Sequence, residues 1–315
     1  MPRLLMITNT LSYFYSHRLP IAMAAIEAGY DVHIGTYFEP GSELKYSDVI
    51  TYHAINFCKN SVNPFKSVVT IYQLAKLYSS IIPSIVHHVA MKPVLYGSIV
   101  ARFLFRVQYV NAIAGLGYLF LHDSFKVKLL RRLLFLGFRF GFSTRRCSFI
   151  FQNDDDKALF IKRRLINKYN YTAIIRGSGV DLTSYHYAIP KNKRVIIVLP
   201  ARLLWDKGVG EFVSAARILK EKTTARFVLV GKLDFMNPAC IEQSDIDKWV
   251  EDGIIEHWGW QEDMQRVFAI ADIVCLPSYR EGMPKALLEA AASGCAIVTT
   301  NTTGCRDVIE DGESG

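Results

Sequence analysis

Three observations predict two α/β modules, each a doubly wound parallel sheet. Short apolar runs alternate with helix-length amphipathic runs along the chain, the order expected of parallel sheets. The alternation restarts after a turn-rich segment, Arg176-Gly177-Ser178-Gly179-Val180-Asp181, which Pro190 and a basic cluster follow. Charge splits at the same place: residues 1–175 hold 21 basic and 9 acidic side chains, and the rest hold 16 basic and 20 acidic. Such a split argues for modules with different partners. The 315 residues also exceed what one core usually supports. The boundary is expected near 182–192, giving domains 1–184 and 185–315.

In chain order, Arg3 to Thr8 reads as a buried first strand and Leu19 to Ala28 as a helix closed by Gly29. Asp31 to Thr36, Ile85 to Val89, Val107 to Ile113 and Phe149 to Asn153 read as further strands. A glycine loop, Gly115-Leu116-Gly117, follows the third of these. In the second module, strands are expected at Arg194 to Pro200, Arg226 to Val230, Ile254 to Glu256, Ile273 to Pro277 and Ala296 to Thr299. Helices are expected at Gly208 to Lys220, Ile241 to Val250, Glu262 to Ile270 and Pro284 to Ser293. Two such modules leave a cleft, and open α/β sheets bind ligands at the carboxyl ends of their strands.

Composition excludes several classes. Half the residues are hydrophobic and 21% are charged, so the chain fills a core and is not disordered. No apolar stretch reaches the roughly 18–20 residues of a membrane-spanning helix; the best, Val110 to Leu121, is short and holds Asn111 and two glycines. The start, MPRLLMITNT, makes a poor signal peptide. Six cysteines without a CxxC pair point to reduced thiols in a cytoplasmic protein. No G-x-G-x-x-G follows an early strand, which argues against a dinucleotide-dependent dehydrogenase.

The informative stretch is PSYREGMPKALLEAAASGCAIVTTNTTG, residues 277–304. A strand ends at Pro277, a loop carries Glu281 and Gly282, and a helix opens near Pro284, where a missing N–H costs nothing. The N–H groups of Met283, Lys285 and Ala286 then form an anion site. Glu281 at its mouth and Glu289 one turn in would repel a bare phosphate. They suit a ligand that presents hydroxyls around its phosphates, which describes a nucleotide sugar. Arg202 and Lys207, in ARLLWDKG, follow a strand and can neutralise a diphosphate. Each pair alone also fits a solvated charge pair; both in one module, each after a strand, favour a donor site.

These residues, with HHVAMKPVLYG (87–97), NAIAGLGYLF (111–120), FQNDDDKALF (151–160) and GSGVDL (177–182), resemble glycosyltransferase family 4 of the GT-B fold. The subgroup resembled comprises capsule and O-antigen transferases acting on polyprenyl-diphosphate-linked sugars. The resemblance implies a retaining transferase that takes a UDP-sugar and needs no metal or other cofactor. It implies that Arg202 and Lys207 bind the donor diphosphate. Glu281 would contact the transferred sugar and Glu289 the ribose hydroxyls. Gly282, Met283 and Pro284 would shape the site. Asp154-Asp155-Asp156 reads as a helix N-cap and first turn rather than a metal site. Where many relatives carry a glycine pair after the first strand, this chain has Asn9-Thr10-Leu11-Ser12. Relatives continue beyond the position of Gly315, so a truncated second domain, and a fragment that binds nucleotide or membrane without turnover, is the competing expectation.

In the first module His87 and His88 end a strand, and the resemblance implies a histidine near the transferred sugar there; His88 is the expected catalytic residue. Lys92 is a candidate pyrophosphate contact. His17 and Arg18, opening the first helix, could hold an acceptor phosphate. Gly115 and Gly117 would let a loop approach the acceptor. Residues 102–146 hold nine basic side chains and one acid, Asp123, interleaved with Phe and Leu. That pattern predicts a basic amphipathic surface lying on anionic lipid, with nucleic acid the less fitting partner. The expected location is peripheral, on the inner face of the cytoplasmic membrane.

Overall fold

The computed structural model describes residues 1–57, 64–104, 107–117, 120–185 and 193–315. Arg106, Tyr118, Leu119 and Pro190, singled out above, lie outside the described residues. The chain forms two compact units, Met1–Ser178 and Gly179–Gly315.

The first unit is a seven-stranded parallel sheet of β1 (Arg3–Ile7), β2 (Asp31–Thr36), β3 (Ile50–Ala54), β4 (Ile85–Val89), β5 (Gln108–Ile113), β6 (Cys147–Phe151) and β7 (Thr172–Ile174). Its order is β3-β2-β1-β4-β5-β6-β7, so the winding reverses between β1 and β4. Helices α1 (Leu11–His17), α2 (Leu19–Glu27), α3 (Pro64–Ile81), α4 (Met91–Phe103), α5 (Phe125–Phe142) and α6 (Asp154–Lys162) connect the strands. Side chains of β1 alternate between two cores, as a strand covered on both faces requires. Leu4 and Met6 pack with Leu11, Phe14 and Ala22 of α1 and α2. Leu5 and Ile7 pack with Tyr78, Val94, Phe138 and Phe142 of α3, α4 and α5.

The second unit is a five-stranded parallel sheet of β8 (Ile196–Pro200), β9 (Arg226–Val230), β10 (Glu256–His257), β11 (Ile273–Leu276) and β12 (Ala296–Thr299). Its order, β10-β9-β8-β11-β12, reverses between β8 and β11. Helices α7 (Val209–Leu219), α8 (Gln243–Glu251), α9 (Met264–Ile270) and α10 (Lys285–Ala292) pack on it, and a short 3₁₀ turn spans Trp205–Lys207.

Two expectations change here. The first helix begins at Leu11, because the Thr10 hydroxyl caps it by accepting from Tyr13 N. His17 therefore closes one short helix, and Arg18 is the joint to the next rather than a helix opening. Residues 102–146 are also not one surface: β5 runs through the middle of the sheet, and α5 alone carries the amphipathic face. On α5, Val127, Leu134, Phe138 and Phe142 face inward. Phe125, Leu129, Leu133, Leu136 and Phe140 stay exposed in an i, i+4, i+8, i+11, i+15 stripe. Exposed Lys126, Lys128, Arg132 and Arg139 flank that stripe. Arg146 instead donates to the carbonyls of Leu104, Val107 and Arg102, a structural use. Asn153 caps α6 by accepting from Asp156 N at 2.8 Å, which places the three aspartates in its first turn.

Candidate functional site

The second unit gathers Arg202, Lys207, Glu281 and Glu289 at the carboxyl ends of β8 and β11, the reversal point where open α/β sheets bind ligands. Arg202 leaves β8 and its Nη1 meets Asp234 Oδ2 at 2.8 Å, half exposed. Lys207 ends the 3₁₀ turn, and its Nζ donates to Glu281 Oε1 across the reversal point. Gly208 makes this possible. It sits at φ +76°, and a Cβ there would lie 2.1 Å from the Pro277 carbonyl oxygen. Only glycine lets the turn close on the end of β11. The Asp206 carbonyl then accepts from Tyr279 N at 3.1 Å and from Ser278 Oγ at 3.1 Å, pinning the turn to the loop that carries Glu281.

Pro284 is the N-cap of α10 rather than its first residue, with no side chain capping the helix. Gly282, Met283 and Pro284 are buried, so Met283 packs rather than presents itself. Glu289 is 7% exposed. Lys285 Nζ pairs with its Oε1 at 3.0 Å. Tyr185 donates to it as well, and burial followed by this bond pushes the Tyr185 phenol up. Glu289 and Arg202 line one cavity of about 150 Å³, together with Gly231, Trp260, Gln261 and Met264. The last four were not singled out from sequence. Trp260 alone among them carried a signal, the W-G-W run after a strand, Trp258 to Trp260, which puts a flat aromatic at a cavity wall. Glu256 anchors that run: it accepts from Arg226 Nε and Nη2 at 2.7 Å each and from Trp258 Nε1 at 3.0 Å. The structure thus brings Arg202 and Glu289 to one cavity, and Lys207 and Glu281 to a direct pair beside it.

In the first unit the histidine expected to be catalytic sits in a closed polar core. His88 is fully buried and both of its nitrogens are engaged. Asn111 Oδ1 can only accept, so His88 Nδ1 donates to it at 2.7 Å. Burial lowers the His88 pKa to about 4, so Nε2 carries no proton and accepts from Tyr78 OH at 2.7 Å. A Cβ on Gly97 would lie 2.3 Å from His88 Nε2, which explains the glycine in the α4 helix above it. The HHVAMKPVLYG and NAIAGLG motifs therefore hold a packed polar core of Tyr78, His88, Ser98 and Asn111. Strand alternation sends His87 to the opposite face, beside α1 and α2.

The acceptor candidates lie apart from that core. His17 stacks on Tyr13 with ring centroids 4.4 Å apart, and its Nδ1 meets Ser16 Oγ at 2.6 Å. Arg18 is buried at the joint of α1 and α2, and Lys92 lies in the first turn of α4. Gly115 and Gly117 have φ of +96° and +62°, and nothing lies within 4 Å of a Cβ built on Gly117. These glycines serve a turn. Among the described residues, no three His, Cys, Asp or Glu side chains are grouped as a metal would need, and no helix is long and apolar enough to cross a membrane.

Comparison with known proteins gives matches in both units. The family model described as "Glycosyl transferases group 1" matches residues 194–315, and that described as "Glycosyl transferase 4-like" matches residues 3–145. The N,N'-diacetylbacillosaminyl-diphospho-undecaprenol alpha-1,3-N-acetylgalactosaminyltransferase of Campylobacter jejuni is 30% identical over 273 residues, 82% of this chain and 70% of the relative. The UDP-Gal:alpha-D-GlcNAc-diphosphoundecaprenol alpha-1,3-galactosyltransferase of Escherichia coli is 27% identical over 295 residues, 87% and 72% of the two chains. Among solved structures, sucrose-phosphate synthase from Thermosynechococcus elongatus superposes with a TM-score of 0.76 at 15% identity, over 96% of this chain and 82% of that one. That likeness concerns the GT-B fold.

Proposed function

The chain belongs to the family 4 glycosyltransferases, and from that premise we propose that it moves a sugar from a UDP-sugar to a polyprenyl-diphosphate-linked saccharide, with retention at the anomeric carbon, in surface polysaccharide synthesis. The observation that carries the donor half is the placement of Arg202, Lys207, Glu281 and Glu289 around the reversal point of one sheet. Arg202 and Lys207 neutralise the diphosphate as it departs, where preorganised cations act most strongly. They fill the role a metal would otherwise take. The Glu281 carboxylate, held by Lys207, stands where positive charge develops on the sugar. Glu289, fixed by Lys285 and Tyr185, accepts ribose hydroxyls, and Trp260 covers the base.

The acceptor half of the proposal places the lipid-linked diphosphate over the first unit, near Arg18, Lys92 and the Gly115–Gly117 turn. The exposed stripe of α5 supports it. Five apolar side chains flanked by four cations fit the boundary of an anionic lipid layer, where each Lys or Arg adds about 1 kcal/mol. We place the enzyme on the inner face of the cytoplasmic membrane and read no nucleic-acid role. Incubation of the protein with a panel of UDP-sugars and a short polyprenyl-diphosphate sugar, followed by mass spectrometry, tests the reading. A lipid-linked product one sugar heavier supports it. UDP-sugar binding without any such product refutes it.

A further inference from the structure

Beside the reversal point of the first sheet, three side chains have buried polar atoms with no hydrogen-bond partner: Asn9 Oδ1, Arg18 Nε and His87 Nε2. Arg18 is 5% exposed, and its guanidinium makes one long bond, from Nη1 to the His17 carbonyl at 3.3 Å. Among the described residues it meets no carboxylate. A buried cation without an anion is costly, and an anion that arrives from outside relieves that cost. The register fixes its neighbours. Met6 pairs with His87 and Ile7 with His88, so His87 joins Met6 on the face covered by α1 and α2. The Arg18 charge acts on both His87 and Tyr13. Burial, then the charges of Arg18 and His88, hold the His87 pKa down to about 3, so its ring is neutral and free to donate from Nε2. The Asn9 amide at the end of β1 can present oxygen or nitrogen. Ala90, just past β4, has φ 76° and ψ 161°, a region suited to glycine, and begins α4 without a side-chain cap. Strain of that kind is held at ligand sites.

We propose that Arg18 and His87 form the floor of a phosphate subsite, with Asn9 and the first turn of α4 at its rim, taking phosphate oxygens of one diphosphate-bearing substrate. This rests on the glycosyltransferase reading for the identity of the substrates. It moves the histidine role from His88 to its neighbour on the opposite face of the sheet.

The test uses the full chain with Arg18→Met, Arg18→Lys and His87→Asn, titrated calorimetrically with inorganic pyrophosphate, geranyl diphosphate and UDP. Loss of a charge-assisted bond predicts binding about tenfold to hundredfold weaker in Arg18→Met, with Arg18→Lys intermediate. Weakening of geranyl diphosphate alone assigns the subsite to the acceptor. Weakening of UDP alone assigns it to the donor, and either supports the proposal. Melting temperature separates a structural arginine: without ligand Arg18→Met should melt at or above wild type, because an unpaired buried charge has gone. A lower melting temperature with unchanged affinity for all three probes would overturn the subsite. Arg18-dependent geranyl diphosphate binding in a protein that transfers no sugar would keep the subsite and overturn the enzyme reading.

Discussion

Replacing Gly208 by alanine puts the proposed donor site under direct strain. The left-handed backbone at φ +76° costs an L-residue about 1–2 kcal/mol. The added Cβ would lie 2.1 Å from the Pro277 carbonyl oxygen and 2.6 Å from its carbon. Relief requires the turn to move off β11 by about 1 Å or more, and overpacking of this kind costs roughly 1–3 kcal/mol. The sum, about 2–5 kcal/mol, lowers the melting temperature of the second unit by roughly 10 °C. Movement of the turn also takes Lys207 away from Glu281. UDP affinity should then fall about tenfold or more, the worth of one charge-assisted bond. Calorimetric melting and UDP titration measure both effects. Gly253→Ala is the control: φ there is +61°, and the nearest atom to a Cβ is Lys220 Nζ at 3.7 Å, so strain enters without collision. If Gly208→Ala matches Gly253→Ala in melting temperature and UDP affinity, the packing argument for Lys207 is wrong.

Three further outcomes are expected. The His88 pKa is depressed to about 4 in the fold, below its ordinary 6.5, so the unfolded chain binds the extra proton first. Its contribution is complete above about pH 6.5 and is lost as pH falls toward 4, on the order of 3 kcal/mol; a His88→Asn variant should flatten that part of the pH–stability curve while folded protein keeps its transfer rate. Glu256 is held below its usual range by Arg226, so that pair stabilises above the ordinary carboxyl pKa and fades on acidification through the lowered one. Glu256→Gln should cost at most about 1 kcal/mol at neutral pH, converge with wild type in acid, and weaken UDP by loosening the Trp258–Trp260 run. Replacing Leu129, Leu133 and Leu136 by serine should leave UDP binding unchanged and cut sedimentation with phosphatidylglycerol vesicles at low salt severalfold; unchanged sedimentation would remove α5 as the lipid-facing element.

The sequence was most legible where strands are buried on both faces. Asp31–Thr36, Ile85–Val89 and Arg226–Val230 form where the apolar runs put them. β3 was missed because ITYHA is a polar edge strand, and β7 because it has three residues. The charged cluster at the reversal point of the second sheet was legible because Arg202, Lys207 and Glu281 each follow a strand and reach a helix within a few positions. The histidine pair was not: both end one strand, and only the pleat decides that His88 enters the polar core while His87 faces Arg18. Gly231 and Met264 were hidden for a related reason, since a cavity built from three loops has no short spacing in the chain.

The most direct measurement is sugar transfer by Glu281→Gln beside its UDP affinity. A carboxylate that acts on the departing sugar predicts a turnover lower by two orders of magnitude or so, with UDP bound nearly as in wild type. Transfer at the wild-type rate would contradict the account.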